Sequence, residues 1–110
     1  MESFEGFNQR FPGFGGYMPW VFINGTYPVP TPDFKSRTPA LDNGELFWGA
    51  LAVSQAWKQR HPEINPGLRE RWDNVTWKLM LKNARKIFFN ETTSKIRAVS
   101  NIKNISLSVD

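Results

Sequence analysis

The feature that most constrains the fold is an apolar run in the middle of the chain. Between Leu46 and Trp57 only Ser54 and Gln55 are clearly polar. The length and residue types of this run predict a helix over residues 43–59. A helix that is apolar nearly all round has to be buried on every side. A chain of 110 residues offers few elements to bury it, so we expect this chain to be part of a larger structure.

A second helix is predicted after a proline-rich break. The segment HPEINPGL, residues 61–68, contains Pro62 and Pro66 and ends the first helix. Apolar residues at spacings of three and four then predict a helix from about Pro66 to Phe88. The rest of its circumference is polar and indicates a solvated stripe, made of Arg71, Asn74, Lys78, Lys82 and Arg85. We therefore predict a buried inner helix followed by an outer amphipathic helix.

The first 40 residues carry most of the glycine and proline. We predict a long ordered loop there, interrupted by one hairpin. The pair Asn24-Gly25 lies between β-prone residues, which is typical of a type I′ hairpin turn, and Pro28 restricts the second strand to a sheet edge. Residues 87–89 and 96–99 flank a polar turn and predict a second hairpin.

These elements together predict a mainly α fold. Residues 1–110 are interpreted as one partial domain, with an aromatic, Gly/Pro-rich loop region over 1–40 and a helix pair plus β-hairpin over 41–110. Closed rings of inner and outer helix pairs form the (α/α)6 toroid, in which loops at one end of a central cleft carry the active site. We expect this chain to be a fragment of such a toroid, because its last residues have neither a cap nor a polar tail.

The composition argues against several classes of function. Without cysteine there is no disulfide, thiol nucleophile or Cys-ligated zinc, and the only histidine, His61, falls in a loop. We expect no metal and no cofactor. Lys and Arg outnumber Asp and Glu by 14 to 10, but no basic run is longer than two residues, so no nucleic-acid partner is predicted. No apolar run reaches the ~20 residues of a membrane span.

Four glycosylation sequons, Asn-x-Ser or Asn-x-Thr, begin at Asn24, Asn74, Asn90 and Asn104. This is more than chance predicts for the composition, and it favours a secreted, extracellular protein. No signal peptide is visible in the chain. We predict glycosylation at Asn74, on the polar arc of the second helix, and at Asn90, in a turn.

Asp42 and Glu45 stand three residues apart where the first helix begins. One interpretation is a capping box, with Asp42 as the N-cap residue and Glu45 reaching back to it. The other is chemistry, because glycoside hydrolysis uses paired carboxyl groups. Aromatic rings for stacking on a sugar and donors for its hydroxyl groups occur nearby, at Tyr17, Trp20, Phe34, Lys35, Arg37 and Phe47. A carboxylate has enough acceptor sites for both roles, so both interpretations remain open.

Residues 31–53, TPDFKSRTPALDNGELFWGALAV, resemble the start of an inner helix in endo-β-1,2-glucanases and their glucoamylase-like relatives. Residues 88–103, FFNETTSKIRAVSNIK, are similar to the turn after the next helix of that family. The resemblance covers roughly residues 17–104, about a quarter of a toroid. It implies that Asp42 and Glu45 are an acidic pair in a cleft that binds a β-glucan oligosaccharide or polysaccharide. It also implies that other essential carboxylates lie outside this segment.

Three functions are therefore weighed. The first is a fragment or short relative of a secreted β-1,2-glucan hydrolase, with Asp42 and Glu45 as catalytic residues and Trp20, Phe34 and Arg37 as substrate-binding residues. The second is a non-catalytic glycan-binding or partner-binding piece without a complete site. The third, a small basic nucleic-acid binder, is disfavoured by the scattered charges and the sequons.

Overall fold

The computed structural model describes residues 1–110, and the apolar run forms its longest helix, with 21 residues. Helical residues make up 56 % of the chain, so the prediction of a mainly α protein is confirmed. The α-helices are α1 (Glu2–Arg10), α2 (Ala40–Arg60), α3 (Pro66–Asp73) and α4 (Leu81–Phe88). Short 3-10 turns occupy Pro12–Phe14, Pro32–Phe34 and Ile105–Leu107.

The second predicted helix has the expected bounds. Helix α3, the π-helical segment Asn74–Met80 and α4 follow one another without a break from Pro66 to Phe88. We call this continuous stretch the 66–88 helix. Its start is fixed locally, because Pro66 occupies the first helical position and the Asn65 side chain accepts a 3.2 Å bond from the Leu68 amide. The π-helical turns in its middle were not predicted.

Six short strands pair into three antiparallel ladders of two strands each. Strand β1 (Val21–Asn24) pairs with β2 (Tyr27–Pro30), and β4 (Phe89–Asn90) pairs with β5 (Lys95–Ile96). Both predicted hairpins are therefore present, although the second is shorter than expected. Strand β3 (Arg37–Pro39) pairs with β6 (Val99–Asn101) and joins the start of α2 to the end of the chain.

The turn type predicted for the first hairpin is wrong. Asn24 pairs with Tyr27, so the central turn residues are Gly25 and Thr26. Only Gly25 has a positive φ, +65°, whereas type I′ needs positive φ at both central residues. A positive φ at the first central residue alone is the type II′ pattern, in which glycine takes that position.

Residues 1–40 contain a helix that the sequence did not indicate. Helix α1 forms despite Gly6 because its partners lie elsewhere in the chain. Phe7 is fully buried, and its ring centroid lies 4.9 Å from that of Phe11. The Arg71 guanidinium donates two hydrogen bonds to the Glu5 carboxylate, which lowers the pKa of Glu5 and ties α1 to the 66–88 helix. The interpretation of residues 1–40 as a loop region with one hairpin is therefore corrected.

The buried core is small and lies between the N-terminal segment and the 66–88 helix. Its central cluster consists of Tyr17, Val75, Met80 and Ile87. The molecule measures 45 × 37 × 17 Å. A helix with its side chains is about 10 Å thick. A molecule only 17 Å thick therefore has fewer than two full layers of helices, and few of its helices are covered on both sides.

Helix α2 lies at the surface of this slab. Its only buried residues, Asn43 and Ser54, are polar. Leu41 is 76 % exposed and Trp48 is 70 % exposed. The buried inner helix predicted from the sequence is thus not buried by the rest of this chain. No helix combines the length and the hydropathy needed to cross a membrane.

Candidate active site

The loop before β1 is fixed against the 66–88 helix by two glycines and a tyrosine. Gly15 and Gly16 have φ values of +60° and +93°, and a side chain on Gly16 would lie 2.8 Å from the Met80 side chain. The next residue, Tyr17, donates a 2.8 Å hydrogen bond from its hydroxyl to the Met80 carbonyl. Burial raises the pKa of Tyr17 to about 12. This anchor brings the following residues, Met18 to Trp20, to the start of α2.

Asn43 holds that segment in place. Its side-chain carbonyl accepts the Met18 amide at 2.8 Å, and its Nδ2 donates to the Met18 carbonyl at 2.8 Å. The same Nδ2 lies 2.6 Å from the Pro39 carbonyl and 3.0 Å from the Thr38 hydroxyl. Asn43 is only 1 % exposed. An amide pairs with a backbone N–H and a C=O simultaneously, so Asn43 acts as a short strand partner for Met18.

Asn43 was not among the site residues predicted from the sequence. The available signal was an amide in a helix predicted to be buried, because a buried amide needs hydrogen-bond partners. The sequence could not identify those partners, since Met18 is 25 positions away.

The capping interpretation of Asp42 and Glu45 is wrong. Helix α2 begins at Ala40, its N-cap residue is Pro39, and no side chain caps it. Asp42 is therefore the third helical residue, and Glu45 lies a further turn inside. Asp42 still lies in the first turn, where the helix dipole favours a negative charge.

Asp42 belongs to a chain of contacts with three other predicted site residues. The Trp20 indole N–H donates a 2.8 Å hydrogen bond to the Asp42 carboxylate. The Trp20 ring stacks on Phe34, with the centroids 4.5 Å apart. The Arg37 guanidinium lies over Phe34, 5.2 Å from its centroid. Trp20 is 55 % exposed, so this cluster presents an oriented indole with a carboxylate at its edge.

Two other aromatic residues proposed for sugar stacking, Tyr17 and Phe47, lie outside the aromatic cluster. Tyr17 is 4 % exposed, in the core, and Phe47 packs against the same core cluster. Both are corrected to core positions. Phe34 is 7 % exposed. It belongs to the aromatic cluster, but it offers little surface of its own and instead supports Trp20.

Glu45 lies apart from the aromatic cluster. Its side chain is exposed and lines a largely apolar cavity of about 460 Å³ between α1, α2 and the 66–88 helix. Phe4, Trp72 and Met80 form part of the wall of this cavity. The structure thus places Asp42 against the indole and Glu45 at the rim of an apolar depression on the same helix.

The two predicted glycosylation sites differ in their surroundings. Asn74 is exposed on the 66–88 helix. Asn90 lies in β4, and its Nδ2 donates hydrogen bonds of 3.2 and 3.1 Å to the Asp110 carboxylate. These bonds lower the pKa of Asp110. A glycan on Asn90 would replace one of the Nδ2 hydrogens and compete with this contact.

Comparison with known families relates this chain to the glycoside hydrolases. The model of the family described as "Endo-beta-1,2-glucanase SGL" matches residues 1–110, so the chain belongs to that family. The family suggested by the sequence resemblance is thereby confirmed. No curated protein matches the chain.

Two solved structures of the endo-beta-1,2-glucanase from Talaromyces funiculosus are similar to this chain. One is a mutant in complex with beta-1,2-glucan, and the other is a complex with sophorose. Each shows 35 % sequence identity and a TM-score of 0.83, and each match covers 98 % of this chain. The same match covers 22 % of the glucanase chain, so this chain corresponds to about a fifth of that enzyme.

Proposed function

We propose that this chain contributes one wall of the glucan-binding cleft of an endo-β-1,2-glucanase. In this proposal Trp20 stacks on a glucose ring, while Asp42 and Arg37 bind its hydroxyl groups. The observation that carries the proposal is the oriented Trp20–Asp42 pair at the N-terminus of α2, in a chain of this family. The similar solved structures bind beta-1,2-glucan and sophorose, and both ligands fit the same chemistry.

The geometry of the pair suits a sugar ring. A stacked aromatic side chain binds the apolar face of a sugar, while charged groups at its edge pair with the hydroxyls. The hydrogen bond to Asp42 fixes the indole, so less side-chain entropy is lost on binding. An ionised carboxylate offers about four acceptor sites, and the indole uses one of them.

We further propose that this wall belongs to an (α/α)6 toroid, with α2 as an inner helix and the 66–88 helix as an outer helix. The exposed apolar side chains of α2 support this, because neighbouring helix pairs would cover them. In this proposal Glu45, which is exposed on α2, takes part in catalysis with a carboxylate outside this chain. Inverting glycosidases hold their carboxyl groups about 6.5–9.5 Å apart, which two residues on one helical turn do not provide.

Sugar binding is tested on the chain itself. The chain is titrated with sophorose, and the indole signals of its tryptophans are observed in two-dimensional NMR spectra. The Trp20 signal should shift. Replacing Trp20 with alanine should abolish binding. Trp77→Ala is the matched control, because Trp77 is an exposed tryptophan on the 66–88 helix, outside the aromatic cluster. Equal loss of binding in both variants, or binding that survives Trp20→Ala, contradicts the proposal.

Catalysis is tested in a full-length member of the family. Glutamine at the position equivalent to Glu45 keeps the shape and removes the charge. If Glu45 relays a proton, hydrolysis of β-1,2-glucan should fall by about 10²-fold or more at nearly unchanged Tm. Turnover equal to that of the parent enzyme would remove Glu45 from the mechanism. The 110-residue chain alone should show no hydrolysis.

A non-catalytic glycan-binding role is the second candidate. It is favoured by one observation, that the chain spans 22 % of the glucanases it resembles. Sophorose binding by the chain, together with full activity of the Glu45 variant of the longer enzyme, would select this alternative.

We also propose that the protein is secreted. The exposed sequon at Asn74 supports this, because an exposed asparagine side chain is accessible for glycosylation.

A further inference from the structure

We infer that Asn43 is a positioning residue that sets the orientation of Trp20 against Asp42. The inference rests on the proposed role of Trp20 in binding, but it concerns the free chain. Asn43 and Asp42 are neighbours in α2, and they hold Met18 and Trp20, which are two residues apart in the loop. The amide fixes the backbone and the carboxylate fixes the indole, so the loop is held at two points.

Asn43 pairs with the Met18 backbone as a neighbouring β-strand would, and such paired contacts fix the position of the loop along α2. Asn43 satisfies both the N–H and the C=O of Met18, at 2.8 Å each. The Thr38 hydroxyl adds a 3.1 Å donation to the same Met18 carbonyl, and it accepts from Asn43. Only Pro19 separates Met18 from Trp20, and its fixed φ transmits the position of Met18 with little freedom.

Unlike the contacts of Asn43, the hydrogen bond between Trp20 and Asp42 is not shielded from water. Trp20 is 55 % exposed and Asp42 is also exposed, so water competes for both groups. The Asn43 network is buried, with Asn43 at 1 % and Thr38 at 0 % exposure. A buried network that is fully paired rigidifies what it holds. The exposed pair therefore depends on the buried network for its geometry.

The donors and acceptors around Asn43 make the substitution Asn43→Asp informative. Aspartate has the same shape, but its second oxygen would face the carbonyl oxygens of Met18 and Pro39 instead of donating to them. The loop should then move away from α2 while the side-chain volume stays the same.

The indole N–H signals of the five tryptophans report the outcome in one NMR spectrum. Trp20→Phe identifies the Trp20 signal, and Asp42→Ala gives its position without the hydrogen bond. Trp57 and Trp72 are internal references, because their indoles donate to the backbone carbonyls of Ile64 and Ala50, away from the site.

Asn43→Asp should displace the Trp20 signal by at least half of the Asp42→Ala displacement and leave both references in place. Asn83→Asp is the matched control. Asn83 donates to the carbonyls of Gly15 and Leu79 and so braces the same loop without contacting Met18 or Trp20. The control should leave the Trp20 signal near its original position.

A Trp20 signal that does not move in folded Asn43→Asp overturns the inference, as does an equal displacement in Asn83→Asp. If Asn43→Asp does not fold, Thr38→Val decides, since it removes only the hydroxyl that bridges Asn43 and Met18. Displacement of the Trp20 signal in Thr38→Val supports the inference, and an unmoved signal overturns it. Neither result depends on glucan, so a failure of sugar binding is recognised separately.

Discussion

Tyr17→Phe tests the anchor that brings the loop to the site. The substitution removes one hydroxyl and keeps the ring, which packs edge-on against Phe88 with the centroids 4.8 Å apart. The lost hydrogen bond contributes about 0.5–1.5 kcal/mol. We expect the free energy of unfolding to fall by about this amount at neutral pH.

The pH dependence of stability in the alkaline range gives a sharper test of the Tyr17 contact. Burial raises the pKa of Tyr17 from 10.0 to about 12 in the folded state. Below pH 10 both states hold the proton, and the contribution to stability is complete. Above pH 10 the unfolded chain releases its proton first, so stability falls as the pH rises through the folded pKa. A difference of about two pKa units corresponds to about 2.7 kcal/mol, lost between about pH 10 and pH 12.

Urea unfolding followed by circular dichroism, repeated from about pH 8 to pH 12, measures this loss. Lysines also titrate in this range, but they affect the parent chain and Tyr17→Phe alike. The free-energy curves of the two proteins should therefore converge and then cross as the pH rises, because the loss of about 2.7 kcal/mol exceeds their difference at neutral pH. Tyr27→Phe is the control, because Tyr27 is 59 % exposed, and its curve should stay parallel to that of the parent chain. Parallel curves for Tyr17→Phe would refute the argument.

Three further predictions concern other parts of the molecule. Gly16→Ala should destabilise the chain by about 2 kcal/mol or more in urea unfolding, since φ is +93° and the new methyl would meet Met80 at 2.8 Å; an unchanged midpoint would contradict this. The purified chain should self-associate in sedimentation experiments through the exposed face of α2, and Trp48→Lys should reduce the association; a monomeric parent chain would be the opposing result. In a eukaryotic secretory host, Asn74→Gln should remove a glycosidase-sensitive mobility shift, and Asn90→Gln should remove another; no shift in the parent chain would remove the support for secretion.

The tertiary structure decided which side chains are buried and which ones meet. Helix α1 was missed because its stability comes from Phe7 packing and from the ion pair between Glu5 and Arg71, 66 positions apart. Tyr17 resembled a surface aromatic in a Gly/Pro-rich loop, yet it became a core residue because two glycines let the loop approach the 66–88 helix. Such contacts depend on distant partners, which local propensity does not specify.

The sequence determined what depends on neighbouring residues. Pro66 and the periodic apolar residues fixed the 66–88 helix, and Gly25 fixed the position of the first hairpin, because conformational limits act on the residue that carries them. The segment around Asp42 also indicated the family, because the resemblance is carried by a short run of neighbouring residues. The start of α2 was misplaced at Asn43 because Asp42 and Glu45 matched a capping box. The role of Asn43 was missed because its partner, Met18, lies in a loop 25 residues away. Only the folded chain could bring that loop to the helix and place Trp20 on Asp42.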